Sequence, residues 1–133
     1  MERITAEEYR SLIGIKTQSK YKNTRVQVDG KWFDSIGEAN RYQELAILEK
    51  SGEISKLRHQ VIIPLQGRNH MRIDYTYIEN GIRIYEDWKP PKSYRKNNRN
   101  WREFVAKLRE YKLLNPESKS VFRVSSTDGI EEI

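Results

Sequence analysis

The chain has 133 residues, enough for one domain with a single hydrophobic core. It contains no cysteine, which excludes disulfides and cysteine-ligated zinc, and no apolar run approaches the roughly 18 residues of a membrane span. A net charge of +6 favours a polyanionic partner such as nucleic acid. Without cysteine or an apolar signal segment, the composition fits the cytoplasm.

The first 23 residues are predicted to form a short helix and a basic connector. Thr5 and Glu8 fit the capping-box pattern, which predicts a helix from there to about Ile13, closed by Gly14. Residues 15–23, IKTQSKYKN, contain several lysines and no acid. Such a segment is either a solvated linker or a DNA contact.

The next segment is predicted to be a small hairpin followed by a helix. Strands are expected over residues 24–28 and 31–33, around the tight-turn pair Asp29-Gly30. A helix is expected from Ser35 to about Lys50, with Gly52 just past its end. Its apolar residues recur at helical spacing, so one face of this helix should contact the core.

A strand over residues 57–65 leads into a second hairpin, RIDYTYIENGIRIYEDWK, over residues 72–89. Its turn is Asn80-Gly81, a pair suited to the two positive-φ positions of a tight turn. Counting outward from this turn places Glu79 opposite Ile82 and Tyr77 opposite Ile84.

The same count places Asp74 opposite Asp87, and Arg72 opposite Lys89. Opposed like charges destabilise a sheet, so two facing carboxylates require a cation. Because side chains alternate along a strand, Asp87 and Lys89 project from one face, the face of Asp74. Two acids and a lysine at one place predict a metal-dependent phosphodiesterase site.

The chemistry expected there uses an oxygen-ligated ion. Two carboxylates can hold Mg²⁺ or Mn²⁺, and the backbone carbonyl of Trp88 could supply another oxygen. Lys89 could orient the attacking water or stabilise charge on the phosphorus. The alternative is that Asp87 and Lys89 form an exposed ion pair and Asp74 is simply solvated, because a D-x-K tripeptide alone is a weak motif.

The remainder of the chain starts with a proline pair and a basic run. Pro90-Pro91 ends the hairpin strand, an amphipathic helix is expected over about residues 100–114, and a last strand over 120–125. Residues 126–133 are interpreted as a frayed acidic tail. The basic run supplies five candidate DNA-backbone contacts, although such runs are also typical of solvated loops: Lys92, Arg95, Lys96, Arg99 and Arg102.

Two further polar residues have both a structural and a functional interpretation. Glu38 completes a capping box with Ser35, yet it also lies just off the apolar stripe, where it could point at the hairpin. Gln60 is either a half-buried residue paired with backbone or a site residue at the sheet edge.

The remaining candidates are expected to lie outside the site. His59 and His70 are interpreted as surface residues. Glu86 points to the face opposite Asp87, so it is not expected to be a ligand, and Glu44 is similarly doubtful.

The motifs resemble a phage- and prophage-borne branch of the PD-(D/E)xK nuclease superfamily, related to Holliday-junction resolvases. The similarity covers most of the chain: TAEEYR, SKYKN, VDG, FDSIGEANRY, LRHQ, RIDY and YEDWK follow the order and approximate spacing of that family. The most specific combination is FDSxxEA with D-x-K about fifty residues later. Two departures are Ile73 in place of a proline before Asp74, and Pro90-Pro91 after Lys89.

The resemblance implies an α/β fold with a restriction-endonuclease-like αβββαβ core, a mixed central sheet and flanking helices. It implies a nuclease-like domain over residues 24–125, metal ligation by Asp74 and Asp87, and a catalytic role for Lys89. It also implies an auxiliary acidic role for Glu38 and an auxiliary role for Gln60.

The function expected is a Mg²⁺- or Mn²⁺-dependent DNA endonuclease, acting on branched or structured DNA in the cytoplasm of a phage-infected host. A four-way junction needs two symmetric cuts, so a homodimer is expected if that is the substrate. The alternatives are a catalytically inactive DNA-binding module on a nuclease fold, or a nuclease of linear or single-stranded DNA.

Overall fold

The computed structural model of the chain describes residues 15–18 and 23–133. The helix expected over residues 5–13 and residues 19–22 of the expected connector lie outside this part. Ile15–Gln18, predicted to belong to the connector, is instead strand β1, and it pairs antiparallel with the following strand. The lysine-rich composition suggested a linker, and it contains no sign that this segment pairs with the strand after it.

A small antiparallel sheet opens the described chain, in the order β1-β2-β3. Strand β2 spans Asn23–Val28 and strand β3 spans Lys31–Phe33. Asp29 and Gly30 join them with φ of 49° and 78°, the positive values that an Asp-Gly turn supplies. The predicted hairpin is therefore confirmed.

Helix α1, Ile36–Lys50, follows at once. Ser35 caps it by accepting a hydrogen bond from the Glu38 N–H at 3.1 Å, as the sequence predicts. Gly52 lies two residues past the end of the helix with φ of 87°, a left-handed conformation that glycine adopts without strain.

A five-stranded sheet contains the central hairpin, in the order β4-β5-β6-β7-β8. Its strands are β4 (Ser55–Pro64), β5 (His70–Glu79), β6 (Ile82–Trp88), β7 (Val121–Ser126) and β8 (Gly129–Glu132). A 3₁₀ turn (Lys92–Tyr94) and helix α2 (Arg99–Leu114) connect β6 to β7. This crossover lets β6 and β7 pair in parallel, whereas the other neighbours are antiparallel.

The acidic segment expected to be a frayed tail is instead largely strand β8. It pairs antiparallel with β7, and the Ile133 N–H donates to the Phe122 carbonyl at 3.0 Å. Glu131 accepts a hydrogen bond from Arg95, and Glu132 accepts one from Arg123 at 3.3 Å. Arg95 of the crossover and Arg123 of the adjacent strand β7 hold these acids, and the local composition of the segment shows neither partner.

The helices pack on opposite faces of the large sheet. Helix α2 covers one cluster of buried residues, which includes Ile73, Phe104 and Val124. Helix α1 contributes Leu45 to a second cluster, with Tyr75 from β5. Residues two apart on a strand normally share a face of the sheet. Ile73 and Tyr75 belong to different clusters, so the direction of the side chains along β5 changes at Asp74.

The architecture is mixed α/β, as predicted. From α1 onward the elements α1, β4, β5, β6, α2 and β7 follow the expected αβββαβ order. Among the residues that the structure describes, neither helix is long and apolar enough to cross a membrane.

Candidate active site

The hairpin turn sets the register of the site. Asn80 and Gly81 have φ of 51° and 77°, as a tight two-residue turn of this sequence requires. Glu79 pairs with Ile82. Tyr77 likewise pairs with Ile84, so the counted register is confirmed for the paired part of the hairpin.

The two aspartates meet where this pairing ends. The last ladder pair is Tyr75 with Glu86. Beyond it, the Asp74 N–H donates to Asp87 Oδ1 at 2.8 Å, and the Trp88 N–H donates to Asp74 Oδ2 at 2.8 Å. The carboxylates thus accept the hydrogen bonds of two backbone N–H groups where the strands separate, and this fixes both acids at one position.

Lys89 completes the expected triad. Its Nζ lies 2.8 Å from Asp87 Oδ2 and 4.4 Å from the centroid of the Phe104 ring. Asp74 is 9% exposed and Asp87 is 5% exposed. The ion pair is therefore mostly buried against helix α2, and Asp74 is not a solvated strand residue.

Arg72 does not lie opposite Lys89 in a ladder, because pairing of β5 with β6 stops at Tyr75. Arg72 pairs with Ile62 of β4, and the Lys89 N–H donates to the Ser125 carbonyl of β7 at 2.9 Å. The strands separate at the aspartates, which a count from the turn could not reveal. Arg72 and Lys89 instead line one groove.

The acid pair is electrostatically strained although Lys89 pairs with Asp87. Burial raises the pKa of Asp74 well above its usual range, and the charge of Asp87 raises it further. The charge of Glu38 acts in the same direction, while the hydrogen bond from the Trp88 N–H opposes the increase. A bound cation would relieve this repulsion.

Glu38 lies near the pair and is 4% exposed. Its backbone N–H belongs to the Ser35 cap, but its Oε1 lies 3.3 Å from His59 Nε2. The Tyr75 hydroxyl donates to the Glu38 carbonyl oxygen. The structural interpretation holds for the backbone of Glu38, which bonds to the Ser35 cap. The functional interpretation holds for the direction of its side chain, which points at the sheet.

A close approach of helix to sheet places Glu38 there. The Trp88 indole lies directly against Gly37, and a Cβ at that position would collide with its six-membered ring. Glycine is therefore required at Gly37 for the first turn of α1 to reach the end of β6.

His59 was expected at the surface, and this prediction is wrong. Its side chain is 6% exposed and its ring lies 4.3 Å from the ring of Phe33, between centroids. The one available sequence signal was its period-2 phase with Leu57 on a predicted strand. His70 is exposed, as predicted.

Gln60 lies beside the pair on the edge strand β4. The pairing of its neighbours His59 with Tyr75 and Val61 with Ile73 places it opposite Asp74. It is exposed and has φ of 58°, a left-handed conformation that is uncommon for a side chain of this kind. The half-buried alternative is therefore wrong, and Gln60 stays a candidate at the rim of the site.

Glu86 faces helix α1, away from Asp87, as predicted, and Glu44 lies on that helix. Glu86 is 0% exposed and accepts two hydrogen bonds from Arg41, at 2.7 and 2.9 Å. Arg41 also donates to Glu44 at 3.1 Å. The Arg41–Glu86 pair holds helix α1 to the sheet, and Glu44 is a second partner of Arg41 within the helix.

The basic run does not form one continuous surface. Arg95 is 8% exposed, donates to the Pro90 carbonyl and to Glu131, and lies 4.4 Å from the Trp101 ring centroid, so it is structural. Lys92 pairs with Glu131 at 3.4 Å. The other three predicted contacts are exposed, with Arg99 paired to Glu103: Lys96, Arg99 and Arg102.

Within residues 15–18 and 23–133, no group of three or more His, Asp or Glu side chains is arranged to hold a metal ion. The site offers two aspartate carboxylates, both largely buried. Magnesium commonly uses one or two protein carboxylates and completes its coordination with water and substrate phosphates, so this donor set suits it.

The structure thus defines a mixed α/β protein with a buried pair of aspartates at the end of a hairpin. Residues 18–114 match the family described as "Protein of unknown function (DUF1064)", and the chain belongs to that family. Comparison with curated proteins gives no match.

Proposed function

We propose that this protein is a Mg²⁺- or Mn²⁺-dependent DNA endonuclease that hydrolyses phosphodiester bonds. The observation that carries the proposal is the buried contact of Asp74 with Asp87, with the Lys89 ammonium 2.8 Å from the second carboxylate. One lysine cannot neutralise two carboxylates, and this surplus of negative charge matches a divalent cation.

Asp74 and Asp87 would hold the ion, with the Trp88 carbonyl as a further oxygen and Glu38 as an auxiliary acid. When bound, the ion would polarise a phosphoryl oxygen and lower the pKa of a bound water. The backbone N–H groups that donate to Asp74 and Asp87 keep both carboxylates in place before any ion binds.

Lys89 would act on the substrate side of the pair. Its ammonium is fixed by Asp87 and by the Phe104 ring, and it retains 18% side-chain exposure. A positioned ammonium can hold the attacking water or stabilise charge that develops on phosphorus. Gln60, exposed opposite Asp74, could contact the same strand of DNA.

The element order supports membership of the PD-(D/E)xK superfamily with a restriction-endonuclease-like core. The FDSxxEA motif runs from the last residue of β3 into the first turn of α1, and D-x-K lies at the end of β6. The motif residues therefore converge although about fifty residues separate them. This convergence is expected of a site and not of a chance tripeptide.

The substrate is proposed to be branched or structured DNA in phage DNA metabolism, as the resolvase resemblance implies. The net charge of +6 suits a polyanion. A homodimer would supply the two symmetric cuts that a four-way junction requires.

Cleavage assays test the proposal directly. Wild type, Asp87→Asn and Lys89→Gln would be incubated with Mg²⁺ and four substrates: a four-way junction, a flap, a linear duplex and a single strand. Glu117→Gln is the matched control, because Glu117 is exposed and far along the chain from the site. Wild type and control should cut, and the two site variants should lose activity by about 10³-fold or more.

The result also separates the alternatives. Equal cleavage by wild type and Asp87→Asn would refute the assigned site. DNA binding without cleavage, and without uptake of Mn²⁺, would show a binding module on a nuclease fold. Preference for linear or single-stranded DNA would replace the branched substrate with one of those.

A further inference from the structure

A groove of about 170 Å³ lies beside Lys89, between the start of β5 and one face of helix α2. It is lined by Met71, Arg72, Lys89, Asn100, Glu103, Phe104 and Lys107. Lys89 forms part of the groove wall and also contacts Asp87, so this side chain links the groove to the acid pair.

The groove carries more positive than negative charge. Its three cations are Arg72, Lys89 and Lys107, and its one acid is Glu103, whose Oε1 is already paired with Arg99 at 3.0 Å. Within the described residues, Lys107 forms no salt bridge.

Arg72, the third cation of the groove, has a partner that it can exchange for a phosphate. Arg72 Nη2 lies 3.3 Å from Asp34 Oδ2, and both side chains are more than half exposed, at 52% and 59%. Exposed pairs of this kind contribute little free energy, so Arg72 can turn to a phosphate at small cost.

The helix face gives the groove a direction and a length. Asn100, Glu103, Phe104 and Lys107 repeat at helical spacing and so share one face of α2. From Asn100 to Lys107 the helix rises about 10 Å, comparable to the axial length of about three nucleotides of one DNA strand.

We propose that this groove binds the phosphate backbone of the substrate strand next to the cleaved bond, with Lys107 and Arg72 as phosphate contacts. Asn100 supplies a side-chain amide donor at the other end of the groove. The inference rests on the proposed nuclease function for the identity of the polyanion, and it replaces the continuous basic run as the main DNA contact.

Binding is measured with a fluorescently labelled four-way junction and a linear duplex at several salt concentrations, with Ca²⁺ in place of Mg²⁺. The variants are Lys107→Gln, Arg72→Gln, Lys107→Arg and Arg109→Gln. Arg109 is the matched control, since it is an exposed cation of the same helix that does not line the groove. Circular dichroism confirms that each variant is folded.

Lys107→Gln should weaken binding to both DNAs, and the magnitude of the negative slope of log K against log salt should decrease by about 0.9 for duplex DNA. Arg72→Gln should act similarly, Lys107→Arg should restore binding, and Arg109→Gln should leave the slope unchanged. Equal slopes for Lys107→Gln and Arg109→Gln would refute the proposal that this groove binds the DNA backbone.

The two proposals fail separately. If Asp87→Asn cleaves as wild type does while Lys107→Gln still reduces the magnitude of the salt slope, the assigned catalytic site is wrong and the groove assignment stands. If Asp87→Asn is inactive while Lys107→Gln binds as wild type does, the site stands and the groove is wrong.

Discussion

Glu86 and Asp87 are neighbours on β6 whose side chains project to opposite faces of the sheet. Both are buried carboxylates, at 0% and 5% exposure, but their partners differ. Glu86 accepts two hydrogen bonds from Arg41 and one from the Tyr77 hydroxyl. Asp87 faces a second acid, Asp74.

The pKa shifts on the two faces have opposite signs. Burial by itself would raise the pKa of Glu86, but the hydrogen bonds and charge of Arg41 outweigh it, so its pKa is lowered. On the other face, burial and the charge of Asp87 raise the pKa of Asp74 well above its usual range. Glu86, neutralised by Arg41, supports the fold. Lys89 pairs with Asp87 but leaves Asp74 without a counter-charge, which is the arrangement expected of a functional site.

The largest effect on stability is expected on the Glu86 face. Glu86→Gln leaves the buried Arg41 guanidinium with only the partly exposed Glu44 as counter-charge, which should lower the free energy of unfolding by about 3–5 kcal/mol. Urea denaturation measures the loss, with Glu117→Gln as control, expected within about 0.5 kcal/mol of wild type. A loss below about 1 kcal/mol would contradict the structural role assigned to this ion pair.

Divalent ions should stabilise the folded protein by binding on the face of the sheet that carries Asp87. Mn²⁺ at ten times its Kd should raise the free energy of unfolding by about 1.4 kcal/mol, since it binds the folded state alone. Thermal melts with and without Mn²⁺ test this. Asp87→Asn should abolish the increase and Glu117→Gln should retain it; an equal increase in both would place the ion elsewhere.

The pH dependence of the metal-free protein should differ between the two faces. Because the folded pKa of Asp74 is raised, its contribution to stability is complete below its unfolded pKa of about 3.9 and is lost as pH rises through the folded pKa. The lowered folded pKa of Glu86 gives the reverse: stability present above about 4.3 is lost as pH falls through the folded pKa.

Asp74→Asn separates these contributions. It keeps an oxygen that can accept from the Trp88 N–H and removes the repulsion, so the metal-free variant should gain on the order of 1 kcal/mol at pH 8. The gain should shrink in acid. Urea titrations in EDTA at several pH values measure it, and a variant less stable than wild type at pH 8 would contradict the strain assigned to the pair.

The smallest effect concerns Gln60, at the rim of the Asp74 face. Its side chain is exposed and its φ of 58° suits glycine, so Gln60→Gly should change the free energy of unfolding by no more than about 0.5 kcal/mol. If the side chain contacts substrate, cleavage should nevertheless decrease. Unchanged cleavage would remove Gln60 from the site.

Features that local chemistry determines could be predicted from the sequence. Asp29-Gly30 and Asn80-Gly81 are suited to positive φ at two consecutive positions, so both turns and the registers beside them follow from a few residues. Ser35 likewise caps α1 through a bond to its own third neighbour. The meeting of Asp74 with Asp87 follows from the second turn by counting.

Features that depend on distant partners could not be predicted. Arg95 looks like any residue of a basic loop until Glu131 and Trp101 are placed around it. His59 is buried because Phe33, from the other sheet, covers it. The strand formed by residues 129–132 similarly depends on β7, so composition alone suggested a tail.

The contact between Gly37 and Trp88 has a consequence for related sequences. The Trp88 indole occupies the space that a Cβ at position 37 would need, so the two positions are coupled although they are 51 positions apart in the sequence. Where a homologue carries alanine or a larger residue in place of this glycine, the tryptophan should have been exchanged for a smaller side chain. The two positions should therefore co-vary.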